Sequence, residues 1–371
     1  MSLTGTPFFL STILFVLVAL ALPLTLWSRL RGPLAVRYAA RFGMLLLCQV
    51  TSVLMVFVIV NNSNGLYDNW EDLLGTGTHV QATADLGPDG GAAQARREPK
   101  IEQKFKQAKG PNMGDVQQAD LKGRVSGVEG EVYVWLPPQY NDPAYKDKKF
   151  PVVELLPGYP GSAKAWYGTL KVQTQLKPLM QSGKVAPFIL VSPRTTLLGG
   201  QDTGCANIPG KVNADTWLSV DVRRMVTDNF RAQDDAAGWG VVGYSAGAHC
   251  AARLAIEHPD RYAAGVSLSG YNNPAAEKDS LTAKDPVLRV KANPLFMLQH
   301  AAHPPRTSLF ISGASGDGYQ DGLALRNAAK APTKVKVVQI PAGAGGHGTG
   351  VWKSQVPDVF HWLTEQGFKA R

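Results

Sequence analysis

The first 60 residues of the chain contain no aspartate or glutamate, although the 371-residue sequence has 29 of these acids. The same region carries two long apolar runs, residues 8–27 and 42–60, and neither run contains a charge. Each run is close to the roughly 20 residues that cross the hydrocarbon layer as a helix. The sequence therefore predicts a membrane anchor over residues 1–61 with two transmembrane helices.

The residues between the two runs predict how the anchor is oriented. Positive charge in a short loop stays on the cytoplasmic side, and this segment contains Arg29, Arg31, Arg37 and Arg41. Both outer ends of the anchor should then face away from the cytoplasm. The alternative is a cleaved signal peptide, but the leading MSLTGTP has no basic residue of the kind such a peptide needs.

The net charge of +9 is not gathered into a nucleic-acid-binding surface. Apart from the four arginines of the anchor, the main basic run is 95–109, which follows an acidic stretch at 61–94. The chain shows no basic stripe interleaved with aromatic residues, so we expect no nucleic-acid partner. The excess charge suits a solvated surface or attraction to anionic polymers of the cell envelope.

The sequence also lacks internal repeats of solenoid length, which leaves one large domain as the simplest organisation. Residues 62–118 are rich in Gly, Ala, Gln and charge and are expected to form an extracytoplasmic linker. Apolar strand patterns alternate with helical ones over 119–371, which predicts an α/β domain with a mostly parallel central sheet. The expected strands are 130–137, 150–157, 188–193, 238–244, 263–270, 307–313 and 335–341, with LKGRVSG (121–127) pairing antiparallel at the start.

Ser245 lies at the junction between the strand GWGVVGY and an alanine-rich helix. Small residues around a serine at a strand-to-helix turn are typical of a nucleophile elbow, which exposes Oγ at the carboxyl edge of the sheet. The pentapeptide GYSAG alone would also fit an N-cap serine. The flanking strand and helix favour the nucleophile.

A serine nucleophile needs a base and an acid later in the chain. His347 follows the last strand in the glycine-rich PAGAGGHGTGVW and is the expected base. Asp317 comes first after the preceding strand and is the expected acid, whereas Asp321 suits the N-terminal cap of the next helix. The other histidines fall in helices, in a proline-rich loop or before the domain: His79, His249, His258, His300, His303 and His361.

Two backbone N–H groups should form the oxyanion hole. The first is that of Ala246, directly after the nucleophile, and the second is that of Tyr159, in the loop ELLPGYPGSAKAW. Trp166 and Trp352 follow the oxyanion and histidine loops, so each either lines a substrate pocket or packs in the core.

Three cysteines occur in the chain, and Cys48 lies inside the second apolar run. Cys250 is five residues beyond Ser245, and Cys205 lies in the loop after the third strand, so both belong near the carboxyl edge of the sheet. We predict that they form a disulfide; the alternative is a buried free thiol and an unrelated loop cysteine. His300 and His303 lack a third ligand of clear spacing, so we expect no metal and no cofactor.

Four stretches resemble the esterase D-like family of esterases, which includes the mycolyltransferases of actinobacterial envelopes. They are LLPGYPG, DTGCANIPG with NADTWLSVDV, GYSAGAHCAARLAIEHPDRYAAGVSLSG and GGHGTGVWKSQVPDVFHWL. The resemblance spans about 120–371 and implies an α/β-hydrolase fold with a Ser-Asp-His triad that acts on carboxylic esters. Asp317 stands where mycolyltransferases usually carry glutamate.

The sequence as a whole predicts a membrane-anchored, extracytoplasmic serine esterase that forms an acyl-enzyme on Ser245. One alternative is an acyltransferase of the mycolyltransferase type that acts on acylated envelope glycolipids. The other is a catalytically silent relative that serves as a binding or scaffold protein. The acyl chain, the leaving group and the oligomeric state leave no signal in the sequence.

Overall fold

The computed structural model describes residues 1–82, 86 and 90–371, and these residues form two compact units, Met1–Leu74 and Gly75–Arg371. The first unit contains helices α1 (Thr6–Leu26), α2 (Leu34–Asn64) and α3 (Trp70–Leu74). By length and composition, α1 and α2 are candidate membrane spans. They pack against each other, and the Cys48 thiol donates to the Ala19 carbonyl at 3.0 Å.

The second apolar helix is longer than the sequence pattern predicted. It begins at Leu34 directly after Pro33 and runs for 31 residues, so Arg37 and Arg41 lie in its first turns and only Arg29 and Arg31 remain in the connection. Proline suits a position just before or at the start of a helix, because its missing N–H has no partner there in any case. The four arginines still occupy the same end of the helical pair.

The second unit is built on a nine-stranded sheet in the order β1-β2-β3-β5-β4-β8-β9-β10-β11. Strands β4, β5 and β8 to β11 are parallel, and β1 to β3 are antiparallel. Two short strands, β6 and β7, pair outside it. The strands are β1 (Lys106–Gln107), β2 (Val116–Lys122), β3 (Glu129–Trp135), β4 (Val152–Leu156), β5 (Ile189–Pro193), β6 (Asn207–Ile208), β7 (Val212–Asn213), β8 (Trp239–Tyr244), β9 (Ala264–Leu268), β10 (Ser308–Gly313) and β11 (Lys334–Gln339).

Helices cover both faces of the sheet, as the continuous apolar strands require. They are α4 (Ala92–Arg97), α5 (Ala165–Gly168), α6 (Val172–Gln181), α7 (Ala214–Thr216), α8 (Arg223–Asn229), α9 (Ala246–Glu257), α10 (Leu281–Lys284), α11 (Pro286–Lys291), α12 (Pro294–His300), α13 (Tyr319–Ala328) and α14 (Thr349–Glu365). A π-helical turn, Trp217–Val222, joins α7 to α8. Short 3₁₀ turns occupy Pro138–Asn141, Pro143–Tyr145, Ala236–Gly238 and Pro274–Ala276.

This architecture confirms the predicted α/β-hydrolase fold, and two details differ from the prediction. The antiparallel partner of β3 is Val116–Lys122, because LKGRVSG forms the end of that strand and the turn after it. The expected linker is partly packed, since Ile101, Ala108 and Met113 are buried. The compact unit accordingly begins at Gly75, well before residue 119.

A carboxyl group is buried in the centre of the sheet. Glu154 on β4 has no solvent exposure, and it accepts a hydrogen bond from the Tyr262 hydroxyl at 2.7 Å. Burial raises the pKa of Glu154 from an ordinary 4.5 to about 8. The side chain is therefore mainly neutral at pH 7, which is how a protein avoids burying an unpaired charge.

The raised pKa predicts a pH-dependent stability with a definite sign. Between about pH 4.5 and 8 the folded chain keeps a proton on Glu154 that the unfolded chain has lost, so stability should fall as pH rises through this window. In Glu154→Gln the unfolding free energy should fall less across this window, by about 4 kcal/mol. Denaturant unfolding of the full chain in detergent between pH 5 and 8.5 measures the slope.

The exposed residue Glu102 offers the matched control, since Glu102→Gln removes an acid that water solvates in both states. Its unfolding free energy should follow the wild-type pH profile. A Glu154→Gln profile with the wild-type slope would show that this carboxyl is not the source.

Candidate active site

Ser245 occupies the sharp turn between β8 and α9. Its backbone has φ 57° and ψ −126°, a conformation that residues with a side chain rarely adopt. Its N–H donates to the Leu268 carbonyl at 2.9 Å, which fixes the turn against the end of β9. Strain of this kind is the hallmark of a nucleophile elbow, because the turn lifts Oγ above the sheet edge.

The two glycines beside the serine are required by the close approach of backbone. A Cβ on Gly243 would lie 1.9 Å from the Gly247 carbonyl oxygen, and a Cβ on Gly247 would lie 2.3 Å from the carbonyl oxygen of Leu156 on β4. Neither distance can accommodate a carbon atom, and backbone atoms cannot move aside cheaply. The spacing G-x-S-x-G therefore follows from how tightly α9 packs on the sheet.

The structure brings Ser245, His347 and Asp317 together, although 102 residues separate the first two and 30 the last two. His347 Nε2 lies 2.8 Å from Ser245 Oγ, and His347 Nδ1 lies 2.8 Å from Asp317 Oδ1. The side chains of His347 and Asp317 are 47% and 27% exposed, so a substrate can reach the histidine from solvent.

These contacts define what the three groups can do chemically. With the Nδ1 proton donated to the Asp317 carboxylate, His347 Nε2 is free to accept the proton of the Ser245 hydroxyl. A serine hydroxyl activated in this way can attack an acyl carbon, and the carboxylate stabilises the imidazolium that forms.

Asp321 has a different role from the predicted helix cap. The residue at the N-cap of α13 is Gly318, and Asp321 lies in the first turn. Its carboxylate accepts the backbone N–H of Asn272 at 2.8 Å, which ties α13 to the loop after β9. The sequence reasoning missed this because the partner loop is distant along the chain.

The predicted oxyanion loop lies directly against Ser245. A Cβ on Gly158 would lie 3.0 Å from Ser245 Cβ, so a side chain here would crowd Ser245, and glycine relieves that contact. The next residue, Tyr159, anchors its side chain by donating from the hydroxyl to the Gly200 carbonyl at 2.5 Å. Ala246 is the first residue of α9, where backbone N–H groups lack partners within the helix.

The two tryptophans expected near the substrate are core residues beside the site. Trp166 and Trp352 are only 0% and 6% exposed, so neither offers a substrate-lining face. Both rings pack against Tyr244, with centroids 5.2 and 4.5 Å away. The Trp352 and His347 rings also form an edge-to-face pair with centroids 5.0 Å apart, so Trp352 supports the histidine by direct packing.

Tyr244 links this aromatic group to the oxyanion loop, a contact that the sequence reasoning missed. Its hydroxyl is hydrogen-bonded to the backbone of Gly158, and burial raises its pKa above the ordinary 10. The phenol therefore stays neutral at physiological pH, and its oxygen accepts the hydrogen bond from the Gly158 backbone. The only sequence signal was the position of Tyr244, immediately before the nucleophile.

A disulfide joins Cys205 to Cys250, as predicted, and closes a separation of 45 residues. Chain-entropy reasoning gives a loop of this length about 4 kcal/mol of stabilisation. Beside it, Arg253 on α9 donates to the Cys205 carbonyl and to the Asp215 carboxylate, both at 2.5 Å. The long loop after β5 is thus fixed to α9, the helix that directly follows Ser245.

One acidic cluster has the ligand spacing of a metal site. Asp215, Glu257 and His258 bring their ligand atoms within 4.8 Å of one another. The Arg253 guanidinium pairs with both carboxylates, so a cation already occupies the position between them. Although burial opposes it, the charges of His258 and Arg253 hold the pKa of Asp215 well below its usual range, which is typical of a structural ion network.

The sheet order and the strained serine turn are those of the α/β-hydrolases, and comparison with solved structures agrees. A ferulic acid esterase superposes with a TM-score of 0.57 at 20% identity over 68% of this chain and 98% of its own. An S-formylglutathione hydrolase from Agrobacterium tumefaciens superposes with a TM-score of 0.52 at 15% identity, over 72% and 98%. The fluorophosphonate-binding serine hydrolase F of Staphylococcus aureus gives 0.52 at 17% identity, over 68% and 99%.

Sequence comparison places the chain within one family of this class. The Esterase family, described as "Putative esterase", matches residues 125–363, which is more than half of the chain. The chain belongs to this esterase family. An uncharacterized protein of Corynebacterium glutamicum is 26% identical over 281 residues, or 69% of this chain, and the chain spans 63% of that relative's length.

The contact between Trp352 and His347 predicts a change in turnover that loss of packing alone would not cause. Trp352→Ala removes the ring that supports the histidine, so the catalytic rate should fall by about 10- to 100-fold per folded molecule, because small displacements of a catalytic group are costly. Ester turnover, normalised to the folded fraction, measures the effect.

Trp362 provides the matched control, since it is also a buried tryptophan of α14 but packs on Phe310 at 5.4 Å. Trp362→Ala should lower stability by a similar amount and leave turnover per folded molecule close to wild type. Equal turnover in the two variants would contradict a supporting role for Trp352.

Proposed function

We propose that the protein is a membrane-anchored, extracytoplasmic serine esterase that hydrolyses carboxylic esters through an acyl-enzyme on Ser245. The observation that carries the proposal is the continuous hydrogen-bonded series from Ser245 through His347 to Asp317. Each atom in it has the role that acyl transfer needs: nucleophile, proton acceptor and stabilising carboxylate.

The proposed reaction has two steps. Ser245 Oγ attacks the ester carbonyl while its proton passes to His347 Nε2, and the resulting oxyanion is stabilised by the backbone N–H groups of Ala246 and Tyr159. The imidazolium then protonates the leaving alcohol. Water then gives a proton to the same histidine and attacks the acyl carbon. The bond from that carbon to Ser245 Oγ breaks, the imidazolium returns the proton to Oγ, and the carboxylic acid leaves.

The membrane location is supported by α1 and α2, and the side of the membrane by the arginines that connect them. The Cys205–Cys250 disulfide supports the same side, since such bonds persist outside the reducing cytoplasm. We therefore place the catalytic unit on the outer face, where envelope esters or acylated glycolipids are available as substrates.

The triad assignment is tested by single and double substitution. Ser245→Ala and His347→Ala should each lower turnover by about 10³-fold or more, and the double variant should cost little more because the two groups act as a unit. The p-nitrophenyl esters of increasing chain length serve as substrates, with and without a sugar acceptor. A fluorophosphonate probe should label the wild type and fail to label Ser245→Ala.

The outcomes of this experiment separate the candidate functions. Free acid as the product supports the esterase. An acylated sugar as the product would instead support an acyltransferase of the mycolyltransferase type. Near-normal turnover in His347→Ala would reject His347 as the base. An unlabelled, inactive wild type would leave a silent binding or scaffold protein.

The orientation is tested by two isosteric cysteines in a Cys48→Ala background. Ser28 lies exposed in the connection between α1 and α2, and Ser63 lies exposed near the carboxyl end of α2. In intact spheroplasts a membrane-impermeant maleimide should label Ser63→Cys, and Ser28→Cys should react only after permeabilisation. The reverse pattern would place the catalytic unit in the cytoplasm.

A further inference from the structure

The segment 75–82, here called the strap, is the first part of the catalytic unit after the membrane anchor. On one side it pairs with the loop 197–201: the Gly199 N–H donates to the Gly77 carbonyl at 2.8 Å, and the His79 N–H donates to the Leu197 carbonyl at 3.1 Å. The strap therefore adds to this loop in the manner of a short antiparallel strand, through a bridge between Thr78 and Leu198.

On its other side the strap pairs with the turn between β2 and β3. The Glu129 N–H donates to the His79 carbonyl at 2.7 Å, and the Gln81 N–H donates to the Gly127 carbonyl at 2.7 Å. The strap thus joins two loops that are separated by about 70 residues of sequence, and its backbone satisfies polar groups on both of them.

Two glycines show that the catalytic fold is shaped to receive the strap. A Cβ on Gly199 would lie 2.4 Å from the Gly75 carbonyl oxygen, and a Cβ on Gly127 would lie 2.2 Å from the Ala82 carbonyl oxygen. Both glycines also have positive φ, 51° and 72°. Any side chain at these positions would collide with the strap backbone.

The loop held by the strap is the one that anchors Tyr159. Gly200 follows Gly199 directly, and its carbonyl accepts the Tyr159 hydroxyl at 2.5 Å. The loop is closed by the Gln201 N–H, which donates to the Leu198 carbonyl at 2.9 Å. A continuous set of hydrogen bonds therefore runs from the strap, through the loop, to the side chain of the proposed oxyanion residue.

From this connection we infer that the strap and the Tyr159 hydroxyl are positioning elements of the active site, which hold the Tyr159 N–H where the oxyanion forms. The inference rests on the proposed function. Oxyanion donors act only at about 2.7–3.1 Å from the developing charge, so releasing this loop should impair catalysis while substrate still binds. The segment that joins the catalytic unit to its anchor is then part of the catalytic apparatus.

Two variants of the full chain in detergent break the connection at different points. His79→Pro removes the N–H that bonds the Leu197 carbonyl, and Tyr159→Phe removes the hydroxyl that bonds Gly200. Each should lower kcat at least tenfold with KM within twofold of wild type, and fluorophosphonate labelling should slow in parallel. The double variant should be no slower than the slower single variant, because both changes release the same loop.

Lys334→Pro is the matched control. It removes a backbone hydrogen bond of the same kind, from the Lys334 N–H to the Thr307 carbonyl at 3.1 Å, at the amino end of β11 and so at the sheet end opposite the site. Its kcat should stay within twofold of wild type.

Several results would overturn the inference. An unchanged kcat in Tyr159→Phe would overturn it, even if His79→Pro fails to give a cooperative unfolding transition. A double variant whose loss of kcat equals the product of the two single losses would also overturn it. A KM increase at unchanged kcat would also reject a role confined to the transition state. Failure of the proposed function is recognised separately, because the wild type would then lack Ser245-dependent turnover and labelling.

Discussion

The close approach of backbone at the turn between β8 and α9 is the constraint on which the rest of the site depends. Carbonyl oxygens of Leu156 and Gly247 occupy the space that side chains at Gly247 and Gly243 would need. This packing brings the first turn of α9 against β4 and forces Ser245 into its positive-φ conformation. Ser245, the Ala246 N–H and the adjoining loop at Gly158 all take their positions from that single junction.

Around the junction, different kinds of contact fix the other groups. His347 is supported by an aromatic group in which Trp352 packs on Tyr244, and the Tyr244 hydroxyl in turn holds the neighbouring loop at Gly158. The loop after β5 is fixed covalently by the disulfide to α9. Packing and hydrogen bonding through Tyr244 thus act on β8, and the covalent link acts on α9. Together they fix the positions of these groups at the edge of the sheet.

The sequence was sufficient for the features that follow from local pattern. Each predicted parallel strand is present within about two residues, because buried parallel strands read as short apolar runs bounded by glycine and proline. Since reactive groups gather at the carboxyl ends of such strands, the order along the chain also selected Ser245, Asp317 and His347. They lie within hydrogen-bond distance of one another, while their catalytic roles stay predictions until the variants are measured.

The features that the sequence did not predict depend on contacts between distant segments. Asp321 was assigned to a helix cap because its partner, the Asn272 N–H, lies 49 residues away. The tryptophans were left open between pocket and core because an aromatic residue near a loop suits both. Residues 75–82 were assigned to a linker on composition alone, and composition does not record that glycines at 127 and 199 leave room for a backbone to pair beside them.

The glycines around His347 have a consequence for where order in the site comes from. Gly343, Gly345 and Gly346 all have positive φ, and a glycine-rich loop loses more conformational freedom on folding than any other. Such a loop contributes little rigidity of its own to the imidazole. The His347 side chain is held in place chiefly by the groups it contacts, namely Ser245, Asp317 and Trp352. The contacts of the histidine therefore order its loop. Each of its partners restrains a segment with high intrinsic entropy, in addition to any chemical role.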